Sequence, residues 1–156
     1  MLGPADPIEI AKISCWDEET ANYSAESRAL RVGELCREAE RKGLNAFGVF
    51  ITGEGGYTFA NSRGIFAHHR TSWSEYSATL QKGEASVRAE GSAVKIADLD
   101  VEGLGREALS KMDLGSDLRR IEPGEYTVVL DPYATADLVY MLAFHGMSAE
   151  EYLEGR

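Results

Sequence analysis

Hydrophobic and polar positions repeat along this chain with two different periods. Between Ser24 and about Lys42, Ala29, Val32, Leu35, Cys36 and Ala39 recur at steps of three and four. That spacing sets them on one face of a helix. Ser24 is placed to cap its start and Gly43 to stop it. Cys36, on the apolar stripe, is expected to be a small core residue. The next run, LNAFGVFIT (Leu44–Thr52), is apolar at odd and even positions alike, which predicts a strand central in a sheet. GEGG (Gly53–Gly56) reads as a hairpin turn, YTFAN as a second strand and SRG as the next turn. IFAHHRTSWSEYSATLQ is a long extended run in which Tyr76, Ala78 and Leu80 alternate with Ser77, Thr79 and Gln81. Lys82-Gly83 turns the chain into EASVRAEG, where Ala85, Val87 and Ala89 alternate with polar neighbours. Period two over successive runs means antiparallel strands with one wet face.

The helical period then returns. Asp100 is placed to cap a helix over about 101–112, with Leu104, Ala108 and Met112 on one face. GSDLRRIEPG is a loop and EYTVVLD (125–131) a strand. Asp131-Pro132 opens another helix, with Asp as the cap and Pro in the first turn, running to Gly146. Ser148-Ala149-Glu150-Glu151 has the form of a capping box for one more helix. The expected fold is α+β: an antiparallel sheet of about five strands, with helices 24–42 and 101–112 on one face. Residues 1–23 form a polar arm stiffened by Pro4 and Pro7, with Trp16 and Tyr23 available to pin it. Residues 24–121 are the main domain. The strand at 125–131 and the helices after it begin a second domain, with the boundary near Ile121 to Gly124. A helix capped so close to Arg156 reads as one cut from a longer protein.

Composition narrows the function classes. The chain has 156 residues, enough for a domain with a real core, and 44% hydrophobic and 27% charged content are ordinary for a globular protein. No apolar run approaches the ~18 residues of a membrane span, and the first residues lack the basic and apolar regions of a secretory signal. The expected compartment is the cytoplasm, with no membrane partner. A net charge of −10 repels phosphate backbones, so nucleic acid is not an expected partner. Two cysteines give neither a disulfide framework nor a zinc ribbon. GEGG lacks the Lys-Ser/Thr ending of a phosphate loop and leads into a strand, not a helix.

The histidine doublet is the most conspicuous candidate for chemistry. His68 and His69 are neighbours on a strand, so they point to opposite faces and cannot chelate one metal together. One is expected on the inner face of the sheet and the other in water. A structural role is one reading; a place for His68, His69 and Arg70 in a substrate groove or subunit contact is the other. His145 falls at a helix C-terminus, where an imidazolium would interact favourably with the helix dipole. No serine lies in a G-x-S-x-G elbow. Glu75, between Trp73 and Tyr76, reads as a solvated strand position.

The order of RALRVGEL, AERKGLNAFGVFITGEGGYTFANSRGIFAHHRT, EPGEYTVVLDPYATADLVYMLAF and GMSAEEYLEGR resembles the middle region of the TldD/PmbA family, once called modulators of DNA gyrase. The resemblance runs from about Asp17 to the end, and the ANSRG turn before an extended strand is its most telling piece. It implies a metallopeptidase-related protein concerned with trimming and maturing peptides. The catalytic TldD-type subunit carries H-E-x-x-x-H on a helix, where two histidines hold a metal and the glutamate activates water. The matching helix here follows VVLDP. Its motif positions are Tyr140, Met141 and His145, so only the last histidine is kept. A neutral phenol is a poor ligand and a thioether takes no proton. The resemblance therefore implies the non-catalytic PmbA/TldE-like type, with no metal of its own and with zinc in a catalytic partner. Its partners would be a TldD-like subunit or itself, as hetero- or homodimer, and unfolded peptide substrates. Two alternatives stay open: a metallopeptidase with ligands outside this chain, or a binding module that modulates a toxin or gyrase-related partner.

Overall fold

A computed structural model describes residues 13–115 and 119–147, with Ala149, Leu153 and Gly155. The chain divides into two compact units, Met1–Leu118 and Arg119–Arg156. Pro4 and Pro7 of the expected arm, and Ser148, Glu150 and Glu151 of the capping box, lie outside the described residues.

The first unit is α+β. Its described strands are β1 (Asn45–Ala60), β2 (Phe66–Lys82) and β3 (Ala85–Ala93). They form one antiparallel sheet in the order β1-β2-β3. Asn45 faces Gln81 and Ala60 faces Phe66 across β1–β2; Ser74 faces Ala93 and Lys82 faces Ala85 across β2–β3. Helices α1 (Glu18–Ala21), α2 (Ala25–Arg41) and α3 (Val101–Leu114) join them, with a short 3-10 turn at Ile96–Asp98.

The core follows from strand parity. Tyr76, Ala78 and Leu80 of β2 and Ala85 and Ala89 of β3 are buried against Leu35 and Ala39 of α2 and Val101, Ala108 and Met112 of α3. The inward row of β2 continues through two polar residues, Ser74 and Ser72, which are also buried. Their hydroxyls donate to the carbonyls of Ala93 (3.0 Å) and Val94 (2.8 Å), so burial leaves them satisfied. Ser24 caps α2 by accepting from the N–H of Ser27 at 3.0 Å, and Asp100 caps α3 by accepting from Gly103 at 2.8 Å.

Five expectations change. The described sheet has three strands, because the runs read as two strands around a GEGG turn are one 16-residue strand. Gly53 and Gly55 face outward, and the indole of Trp73 lies across them: a Cβ on Gly53 would sit 2.6 Å from Trp73 Cζ2. The glycines make room for a ring rather than a turn. Second, Leu44–Thr52 contributes to an edge strand, not a central one. Its two apolar faces differ in fate: Phe50 packs on the core, whereas Phe47, Val49 and Ile51 remain exposed. Third, Cys36 is exposed. Leu35 takes the sheet-facing position, and Cys36, a hundred degrees further round the helix, lies over a shallow hollow beside Phe47 and Val49. Fourth, residues 13–23 are pinned through Trp16 and Tyr23 as expected, but they are also built into the fold itself. Cys15 forms a parallel bridge with Thr71, and Thr20 is fully buried. Its hydroxyl accepts from the Ile96 N–H at 2.7 Å and donates to Asp17 at 2.7 Å. Tyr23 reaches the core beside Phe50, with ring centroids 6.2 Å apart. Fifth, in the second unit, residues 125–130 join no ladder among the described residues. A strand pattern needs a neighbour to pair with, and Val129 here is 98% exposed. Helix α4 (Pro132–Gly146) follows, capped by Asp131, which accepts from the Tyr133 N–H at 2.9 Å.

Candidate functional site

The β1–β2 pair outruns the helices. Its far end closes at Asn61, whose side-chain oxygen accepts from the N–H groups of Arg63 (3.0 Å) and Ile65 (3.2 Å). Gly64 there has φ +84°, a conformation that L side chains rarely adopt.

On the helix-side face of this ribbon, Glu54, Gly56 and Thr58 stand opposite Ser72, Arg70 and His68. Arg70 donates to Glu54 at 2.7 Å, and the Trp16 indole N–H donates to the same carboxylate oxygen at 2.7 Å. The guanidinium of Arg70 lies 4.1 Å from the centroid of the Trp16 ring. The Trp16 bond, followed by the Arg70 bond, holds the Glu54 carboxyl below its ordinary range. His68 Nδ1 sits 2.8 Å from Thr58 Oγ1. His69, on the opposite face, pairs with Tyr57.

Of the doublet, then, the opposed directions hold, but neither ring is buried. The inner-face histidine was expected to be covered, and the helices end before they reach it. His68, His69 and Arg70 line a shallow groove of about 660 Å³ with Ile13, Trp16 and Phe66. The cluster of Trp16, Glu54 and Arg70 was not foreseen. Trp16 and Glu54 are 38 positions apart and no local pattern joins them.

The outer face differs by strand. Phe47, Val49 and Ile51 of β1 are 56%, 52% and 44% exposed. Opposite them stand Thr79, Ser77 and Glu75, and beyond those Arg88, Glu90 and Ser92 of β3. Over residues 47–51 the apolar stripe is thus confined to the edge strand, and further along the Trp73 ring of β2 continues it over Gly53 and Gly55. Among the described residues no further strand pairs with β1, so its second row of backbone groups is open.

Helix α4 places Tyr140, Met141 and His145 in exposed positions. Tyr140 stacks on Phe144 at 6.1 Å, and Phe144 stands edge-on to His145 at 5.0 Å. Among the described residues no group of three or more His, Cys, Asp or Glu is arranged to hold a metal. A phenol, a thioether and one imidazole do not fit a catalytic zinc, which takes three protein ligands of its own. No described helix is long and apolar enough to cross a membrane. No family model, curated protein or solved structure matches this chain.

Proposed function

We propose that this chain is part of a TldD/PmbA-type protein of the non-catalytic, PmbA/TldE-like kind, and that it works by binding. An extended peptide adds to the open edge of β1, and cutting belongs to a TldD-like partner that carries zinc. The single observation that carries this reading is the edge strand: 16 residues long, with no partner on one side among the described residues, and apolar on its outer face. Such an edge offers backbone hydrogen bonds to any sequence and apolar contacts to alternate side chains. The donor set on α4 supports a binding role over a hydrolytic one, because it offers neither the motif's water-activating carboxylate nor a full ligand set.

The test uses a fluorescein-labelled, permanently unfolded casein. Its anisotropy rises on addition of this chain, and amide exchange slows along residues 45–60. Val49→Lys with Ile51→Lys removes the response, because charge on an edge strand opposes strand addition. Hydrolysis of the casein by this chain alone, with zinc supplied, would overturn the reading, as would protection confined to residues outside β1.

A further inference from the structure

A second concave site lies on the far side of the core from the exposed sheet face. It is a cleft of about 460 Å³ between α2 and α3. Its floor includes Tyr76, which is 3% exposed and whose hydroxyl makes no hydrogen bond to any described residue. A buried donor without an acceptor is costly, and an acceptor entering the cleft would satisfy it. Burial, with lesser contributions from Cys36 and Glu102, pushes this phenol up to about 12, so it stays a donor at neutral pH.

Four arginines and three glutamates stand around the cleft. Arg31 is spent on Glu102, with bonds of 2.7 and 2.6 Å, and Arg41 pairs with Glu38. Arg106 holds Asp100 only loosely, at 3.7 Å, and Arg37 has no ion pair or hydrogen bond among the described residues. Glu34 opposes them. With Asp100 beside Arg106 the charges around the cleft balance, and Arg37 is the guanidinium at its rim with no ion pair among the described residues. The walls between are apolar, from Leu35, Val101 and Leu109. Gly105 forms part of the α3 wall. The nearest atoms to a Cβ there belong to Leu35, no closer than 3.7 Å, so packing does not require glycine although glycine weakens the helix. What the glycine does supply is open volume in the cleft.

We propose that the cleft between α2 and α3 binds a small ligand that carries one carboxylate on an apolar stem, with the Tyr76 hydroxyl donating to it and Arg37 and Arg106 at its mouth. A monoanion suits the one unengaged guanidinium, Arg37, whereas a phosphate monoester brings nearly two charges. This site is independent of peptide binding at the β1 edge.

Amide NMR titration of the whole chain tests it, with N-acetyl-leucine, its neutral amide N-acetyl-leucinamide, and inorganic phosphate as probes. Expected are saturable shifts at Tyr76, Gly105 and Arg37 with the acid, and about tenfold or weaker binding of the amide. Tyr76→Phe lowers affinity for the acid by about tenfold. Gly105→Ala weakens it as well, without lowering the melting temperature. Arg37→Gln, a surface change that leaves the fold alone, weakens the acid and not the amide. No saturable response, equal affinity for acid and amide, preference for phosphate, or full affinity in Tyr76→Phe would each overturn the proposal.

Discussion

Thr20 shows how one side chain ties distant segments together. Its hydroxyl is fully buried, accepts from the Ile96 N–H and donates to Asp17, which also accepts from the Thr20 N–H at 2.9 Å. Thr20→Val keeps the shape and leaves both the Ile96 donor and an Asp17 lone pair unmet. The expected loss is roughly 1–3 kcal/mol by urea denaturation, and Thr20→Ser should recover most of it. Gly53 carries a different constraint. Alanine there puts a methyl 2.6 Å from the Trp73 indole, whereas at Gly55 the nearest Trp73 atom is 3.4 Å away. Gly53→Ala should therefore cost roughly 1–3 kcal/mol and shift Trp73 emission to the red, while Gly55→Ala leaves both nearly unchanged. Equal effects at the two positions would show that the ring does not hold the strand. Neither constraint was legible in the sequence. Thr20 sits in what reads as a polar arm, and the glycines make sense only once the register sets Trp73 opposite Gly53.

At the scale of elements, what the sequence made plain was what is decided locally. Ser24, Asp100 and Asp131 were read as helix caps, and each accepts the backbone bond that role requires. Caps act within four residues, so a linear pattern contains them. Ser24→Ala should cost about 1 kcal/mol in thermal or urea unfolding, and Ser24→Asp should cost almost nothing; an alanine variant as stable as the parent would mean that α2 is held by packing alone. Strand continuity is not local. Whether GEGG turns or runs straight depends on Trp73, twenty residues away, and whether EYTVVLD becomes a strand depends on finding a partner. The candidate groove was half legible for the same reason. The opposed directions of His68 and His69 follow from the pleat, but their exposure depends on where α2 and α3 stop covering the ribbon.

At the scale of the whole molecule the acidic balance meets a few carboxylates that the fold uses. Glu102 bridges α3 to Arg31 of α2, Glu54 joins Trp16 to Arg70, and Asp17 caps α1 and holds Thr20. All three carboxyls are held below their ordinary values, chiefly by Arg31, by Trp16 and by Thr20 respectively. Each therefore binds its proton more weakly folded than unfolded. As pH falls through the ordinary range, near 4.5 for the two glutamates and 3.8 for Asp17, the unfolded chain takes up protons first and stability drops. The stabilisation is complete above that range and lost below the folded values. A second effect runs the other way: protonating other carboxylates relieves the self-repulsion of a chain at −10. The urea midpoint should therefore stay level, or rise slightly, from neutrality to about pH 5, and fall below it. Added salt separates the two effects. It screens the net charge and flattens any rise above pH 5, while the acid limb survives because its bonds are short and direct. Glu102→Gln should shorten that limb, since glutamine takes up no proton on unfolding. A Glu102→Gln curve that superimposes on the parent's at every pH would remove the α2–α3 bridge from the account of acid stability and leave the limb to Glu54 and Asp17.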